Sequence, residues 1–257
     1  MENYKSNAEL KNLARIQMSG KMGVLILAMV IEYAITYFTV FLISKIIPVV
    51  SPMTAILNYI VTFIVQLLAF VLQVGACLLH LHASCDMPCS ISDLFYGFRN
   101  GPDKAIKIGV VLAVINAICM LPCDLLQGDM NRVLNMEITT YEQMQALTDS
   151  LISFYMVMLV CMIVYFVATL PFFPVFYMIL DFPNYTAGTI FKQSIRLMKG
   201  NKMRYVSLQL SFLPLVFLSM LTCGIALLWV IPYMEMTAAN FYLDLISNKK
   251  SSLGSDD

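Results

Sequence analysis

Residues 205–246 read YVSLQLSFLPLVFLSMLTCGIALLWVIPYMEMTAANFYLDLI. This apolar block is about twice the roughly 20 residues that a helix needs to cross some 30 Å of hydrocarbon. Cys223-Gly224 sit near its middle, and Pro232 lies beyond. Divided there, it makes two spans, 205–222 and 225–246, joined by a tight turn. Whether it holds one span or two decides where the C-terminus emerges, and with it the topology of the chain.

Four further apolar stretches precede it, at 22–47, about 54–83, about 105–126 and 151 to about 180. The positive charges test the division, because short cytoplasmic loops carry an excess of Lys and Arg. Lys5, Lys11, Arg15 and Lys21 precede the first span. Arg99, Lys104 and Lys107 follow the second, and Lys192, Arg196, Lys199, Lys202 and Arg204 follow the fourth. Lys249 and Lys250 close the chain. With six spans these fourteen of the 16 basic residues share one side, leaving Lys45 and Arg132 at the opposite ends. Five spans would translocate the C-terminal lysines. The expectation is a six-span plasma-membrane protein with both termini cytoplasmic.

Composition agrees. Apolar residues make up 60% of the 257 and charged residues 12%, about half the usual density. Mean hydropathy is +0.78. These values exclude a disordered chain, a disulfide-stapled secreted domain and an ordinary soluble enzyme. Sixteen basic residues balance sixteen acidic ones, so no surplus points to nucleic acid. The first apolar run exceeds a signal-peptide core and lacks a small-x-small cleavage site. Neither terminus carries a cysteine placed for lipidation. The expected organisation is an amphipathic lead-in at 1–21, a membrane domain at 22–246 and a polar tail at 247–257.

One external segment of any size remains, 127–150. It is acidic, with Asp129, Glu137, Glu142 and Asp149 against Arg132. Its EITTYEQMQALTDS predicts a short helix capped by Thr139 or Thr140, with Glu142 in the first turn. The reading is a solvated lid, or a cation-attracting vestibule.

Each outward-going span follows a similar lead-in: AELKNLARIQMSGK before the first, SISDLFYGFRNGPDK before the third and TAGTIFKQSIRLMKGNKMR before the fifth. All three combine an amphipathic run, a glycine and basic residues. In the last, Ile190, Phe191, Ile195 and Met198 or Leu197 can share one face, with Lys192, Arg196 and Lys199 on another. That suits a helix in the interface plane, its cations toward anionic headgroups. Met18-Ser19-Gly20 echoes Met198-Lys199-Gly200. Duplication and convergent use of a helix, a glycine stop and basic anchors explain the echo equally well. The predicted fold is all-α: six transmembrane helices in three hairpins, with amphipathic helices at the cytoplasmic interface.

The C-terminal half carries a recognisable motif string. It runs through Asp181 and Pro183, then Ser194 and Leu197-Met198-Lys199-Gly200-Asn201-Lys202. Leu208, Leu210-Ser211-Phe212, Thr222 and Gly224 follow, then Pro232-Tyr233, Thr237, Ala239 and Phe241-Tyr242. With DLFYGF at 93–98 and a looser N-terminal pattern, the chain resembles the bacterial membrane family catalogued as domain of unknown function 975. Cys223 departs from that pattern, as does LLHLHASC. The family is remotely similar to the membrane domain ahead of some glycerophosphodiester phosphodiesterases. The resemblance implies a membrane domain and names no activity.

Candidate chemistry is sparse. Glu32 lies about ten residues into the first span and Glu235 a few residues past Pro232, with no basic residue at comparable depth. Intramembrane carboxyls face a bundle interior, pair or stay protonated. One reading joins Glu32, Asn58, Gln66, Gln73, Asn116 and Glu235 in a proton- or cation-coupled pathway; the other makes them interhelical hydrogen bonds. A water-filled crevice at Glu32 would favour the first, and a hydrogen bond to another helix the second. His80-Leu81-His82-Ala83-Ser84-Cys85, with Cys89, lacks a standard zinc spacing, so no cofactor or metal is expected. Cys123 and Cys223 lie near the external end and could pair, although seven cysteines leave one over. Pro171 and Pro174 in LPFFP interrupt the fourth span, as broken helices do in transporters. No phosphate-binding, zinc-protease, nucleophile-elbow or dinucleotide motif occurs. The leading expectation is a non-enzymatic scaffold or interaction module touching lipid through its basic face. The alternative is a small transporter or channel component.

Overall fold

The structure, a computed structural model, describes residues 4–47, 52–134 and 140–253. Every regular element among them is helical. The helices are α1 (Asn7–Gln17), α2 (Met22–Ile46), α3 (Pro52–Ser84), α4 (Tyr96–Arg99), α5 (Pro102–Leu134), α6 (Tyr141–Thr169), α7 (Val175–Asp181), α8 (Ala187–Met198), α9 (Lys202–Leu210), α10 (Leu213–Leu221) and α11 (Leu227–Leu253), with 3₁₀ turns at Ile91–Phe95 and Leu170–Phe172. Two compact units result. One joins the N-terminal part through Gly109 to the C-terminal part from Pro171; the other is Val110–Leu170.

Five stretches of the described residues are long and apolar enough to cross a membrane: Met22–Ile46, Ile56–Ser84, Pro102–Leu126, Tyr141–Asp181 and Lys202–Leu221. The sixth expected span forms a helix, α11, but it carries Glu235, Asn240 and Asp244 and is not apolar enough to join them. Its place explains the polarity. From Met236 to Leu245 it is almost wholly buried in the first unit, against α1, α2, α3 and α10. An interior helix can carry polar groups where protein supplies their partners.

The three lead-ins are built alike. Ser6, Ser90 and Thr186 are N-caps, each accepting a backbone N–H with its hydroxyl, and Ser6 and Ser90 complete capping boxes with Glu9 and Asp93. Four residues past each cap stands a fully buried aliphatic side chain: Leu10, Leu94 and Ile190. Each lead-in ends on a glycine with positive φ, Gly20 at 78°, Gly101 at 76° and Gly200 at 86°. Only a residue without Cβ takes that conformation cheaply, and the next long helix starts within two residues. The first and third lead-ins align without a gap: Ser6, Leu10, Ala14, Met18 and Gly20 match Thr186, Ile190, Ser194, Met198 and Gly200, and the three inner pairs are buried. That agreement speaks for a repeated unit. The 91–99 segment and α8 each pack on the helix that precedes them, α3 and α7, whereas α1 packs on α11 from the far end of the described residues.

The face that α8 buries is Ile190, Ser194, Leu197 and Met198; Ile195, expected there, is exposed. The reason is a hydrogen bond. Ser194 Oγ donates to the Pro171 carbonyl at 2.7 Å, which draws the serine inward and turns Ile195 out.

Helix breaks fall at the prolines. Tyr141–Asp181 divides into α6, a 3₁₀ turn at Leu170–Phe172 and α7, whose Val175, Tyr177 and Met178 are buried. Lys202–Leu221 breaks at Ser211-Phe212, before Pro214 at the start of α10. Lys11 covers that second break: its Nζ donates to the Ser211 carbonyl at 2.8 Å and stands 4.0 Å from the centre of the Phe212 ring. The expected turn between the last two spans lies at Cys223 and Gly224, both at positive φ (51° and 84°), and the Gly224 N–H closes on the Ser219 carbonyl at 2.9 Å.

The second unit pairs part of α5, with Pro122 inside it, and α6. Here helices extend further than expected. α5 continues to Leu134, and the helix expected in 127–150 is the start of α6, with Thr140 at the cap and Glu142 in the first turn. Nothing between Tyr141 and Thr169 breaks a helix, so the two merge. Asp129, Arg132 and Glu137 lie outside the described side chains. α6 leaves Ile152, Met156, Val160, Met162, Val164 and Val167 exposed, so apolar groups spread around about half of its circumference, as on a lipid-facing helix. Cys123 lies beside Cys161 within this unit, and all seven cysteines are free thiols, so the pairing of Cys123 with Cys223 does not form.

Candidate functional site

Three helices of the first unit converge on a small cavity. α2 contributes Glu32, Tyr33 and Met29; α3 contributes Gln73, Ala76 and His80; α11 contributes Pro232 and Glu235. Its volume is about 30 Å³, room for about two waters. Neither carboxyl has a hydrogen bond or ion pair among the described residues; the bond recorded at Glu32 is its backbone carbonyl accepting from Thr36. His80 Nδ1 lies 2.7 Å from the Ala76 carbonyl. A carbonyl can only accept, so Nδ1 carries the proton and a neutral ring keeps Nε2 as an acceptor.

A second, wider cavity of about 240 Å³ adjoins the first through shared residues: Gln73 and Glu235 line both. Its other walls are largely aromatic, from Phe70 on α3, Phe173 and Phe176 around the start of α7, and Tyr177. α9 adds Tyr205 and Gln209, joined by a bond from Gln209 Nε2 to the tyrosine hydroxyl at 2.8 Å. The rings brace one another. Phe173 and Tyr205 have centroids 4.1 Å apart, and Phe70 stacks on Phe176 at 5.8 Å. Tyr177 lies beside Cys77, another lining residue. The LPFFP break supplies part of this wall, because ending α6 frees Phe173 and α7 to pack independently of its register.

The polar set expected from sequence is therefore gathered in part. Glu32, Gln73 and Glu235 meet. Asn58 lies elsewhere on α3, donating to the Ile47 carbonyl at 3.1 Å. Gln66 is on α3 one heptad before Gln73 and lines neither cavity. Asn116 belongs to the second unit, where it lies beside Tyr165. His80, Tyr205 and Gln209 were missed. A signal for the first was present, since Gln66, Gln73 and His80 recur every seven residues along one helical face. His82 leaves the site and meets Asp93 at 3.3 Å, on the second lead-in. Among the described residues no three His, Cys, Asp or Glu side chains form a metal-holding group.

The basic set also divides. Lys192, Arg196, Lys199 and Lys202 are exposed. Arg204, grouped with them in the sequence reading, is turned inward instead. It pairs with Asp244 at 2.9 Å, donates to the Lys5 carbonyl and lies over the rings of Tyr4 and Phe241. Asp244, on α11, is the reason, and the sequence reading gave it no role.

A helical bundle with five spanning-length apolar stretches and a polar cavity inside is the build of a polytopic α-helical membrane protein. Residues 1–249 match the model of the family described as "Protein of unknown function (DUF975)", and the chain belongs to that family. No curated protein and no solved structure matches it.

Proposed function

We propose that the protein is a small transporter or channel component whose solute site is the pair of joined cavities in its first unit. It would sit in the plasma membrane as three hairpins, six spans in all, with both termini and the three lead-in helices on the cytoplasmic side. The observation that carries the reading is that Glu32 and Glu235, from helices far apart in sequence, face one cavity with no partner among the described residues. Unpaired carboxyls in a membrane bundle are costly, and function is the usual reason for keeping them.

Water access at position 32 tests this. Glu32→Cys, in a chain lacking the seven native cysteines, is treated with a membrane-impermeant thiol reagent from each side. Labelling is expected from one side or both. Absence of labelling, with control positions in the tail and in 127–150 reacting, would remove the transport reading.

The exposed cations Lys192, Arg196, Lys199 and Lys202 favour a second role, docking of the inner face on anionic lipid headgroups. That role describes a scaffold and needs no cavity. Vesicles with and without anionic lipid, compared for binding to the 186–204 segment in the intact chain, would test it.

A further inference from the structure

We propose that the wider cavity takes a small organic cation, a compact alkylated or protonated amine, held against its aromatic walls with its charge toward Glu235. The inference rests on the solute-site reading above and names the class of solute. The lining chemistry selects among classes. Glu235 is the one ionisable carboxyl on this wall, and no Lys, Arg or His shares it. An anion would meet a carboxylate with nothing to offset it. Calcium or magnesium takes six or more oxygen ligands; one carboxyl, the amides of Gln73 and Gln209 and the hydroxyls of Tyr177 and Tyr205 supply fewer, and phenyl rings supply none.

An ammonium with alkyl substituents fits both halves of the lining. Its charge is attracted by aromatic faces and by a carboxylate, and its carbon groups fill apolar space. The rings are fixed against one another before any ligand arrives, as the Phe173–Tyr205 and Phe70–Phe176 pairs show. Glu235 has no competing cation among the described residues, so the ligand's charge would be its first partner.

The test uses the full chain in lipid nanodiscs and two probes of matched shape, tetramethylammonium and uncharged tert-butanol. Binding is read by titration calorimetry. Tetramethylammonium is expected to bind at least about tenfold more tightly than tert-butanol. Glu235→Gln should abolish that preference, and Phe173→Leu should weaken binding of the cation several-fold. Equal binding of the two probes would overturn the cation assignment and leave a solute cavity standing. So would a preference that survives Glu235→Gln. Binding of neither probe to a chain with an unchanged melting transition would also overturn it, whereas labelling at position 32 judges the transport reading separately. If Glu235→Gln fails to fold, the comparison of the two probes on the unaltered chain decides.

Discussion

Arg204 and Asp244 pair at 2.9 Å between α9 and α11, with the aspartate side chain 2% exposed and the arginine 27%. The same carboxylate takes the Lys5 backbone N–H at 3.3 Å, and the guanidinium reaches back to the Lys5 carbonyl at 3.0 Å. Three distant parts of the chain are thus tied by two side chains. Removing one partner leaves the other charge poorly compensated, at about 3 kcal/mol. Asp244→Ala is expected to lower the melting temperature sharply. Arg204→Lys should not restore it, because an ammonium cannot serve two acceptors and two ring faces with the geometry of a planar fork. Thermal unfolding of the purified variants checks both.

Lys11 covers the open carbonyl of the break before Pro214. Lys11→Met keeps the length of the stem and removes the donor. The expected loss is about 1–2 kcal/mol. It should appear locally, as faster amide hydrogen exchange at 211–216 while exchange in α3 stays unchanged.

Gly75 lies where α3 meets the second lead-in. A Cβ there would fall 1.9 Å from the Leu94 carbonyl oxygen, a backbone atom that cannot step aside alone. Gly75→Ala should therefore cost about 1–3 kcal/mol, and Gly23→Ala, which meets nothing within 4 Å, should be nearly neutral by the same melting assay.

Two carboxylates outside the spans give stability a dependence on acid. The Ser6 backbone N–H and hydroxyl hold Glu9 below its ordinary range, and the hydrogen bond from Lys21 does the same for Asp86. A carboxyl whose folded value is lowered contributes stability above its unfolded value, near 4, and loses it as pH falls through the lowered one. Melting temperature should therefore drop on acidification below about pH 4, and less steeply in Glu9→Gln and Asp86→Asn. Equal slopes in all three chains would refute the assignment. Both groups are fully exposed, so the effect is small and fades in salt.

Much of this fold is legible locally. The apolar runs of α2, α3, α5 and α6, the cap at Thr140 and the turn at Cys223-Gly224 each depend on residues within one or two helical turns. The carboxyls Glu32 and Glu235 stood out because charge is rare inside apolar runs. What was not legible depends on meetings across the chain. Arg204 looks like a surface cation until Asp244, forty residues on, is brought beside it. Ile195 fits an apolar face until Ser194 finds the carbonyl of Pro171. The aromatic wall draws rings from α3, the start of α7 and α9, and no single window of sequence contains it.

The seat of α1 on α11 sets an order of assembly. A chain is made from its N-terminus, so α1 leaves the ribosome before all of its resting place exists. Ala14 and Met18 can meet Leu79 and Ala83 of α3 early, but the side of α1 that faces α11 stays open until that helix is inserted. α1 is therefore fully seated only once α11 arrives, and a chain cut short before α11 would carry an unclosed face on α1 that quality control can recognise.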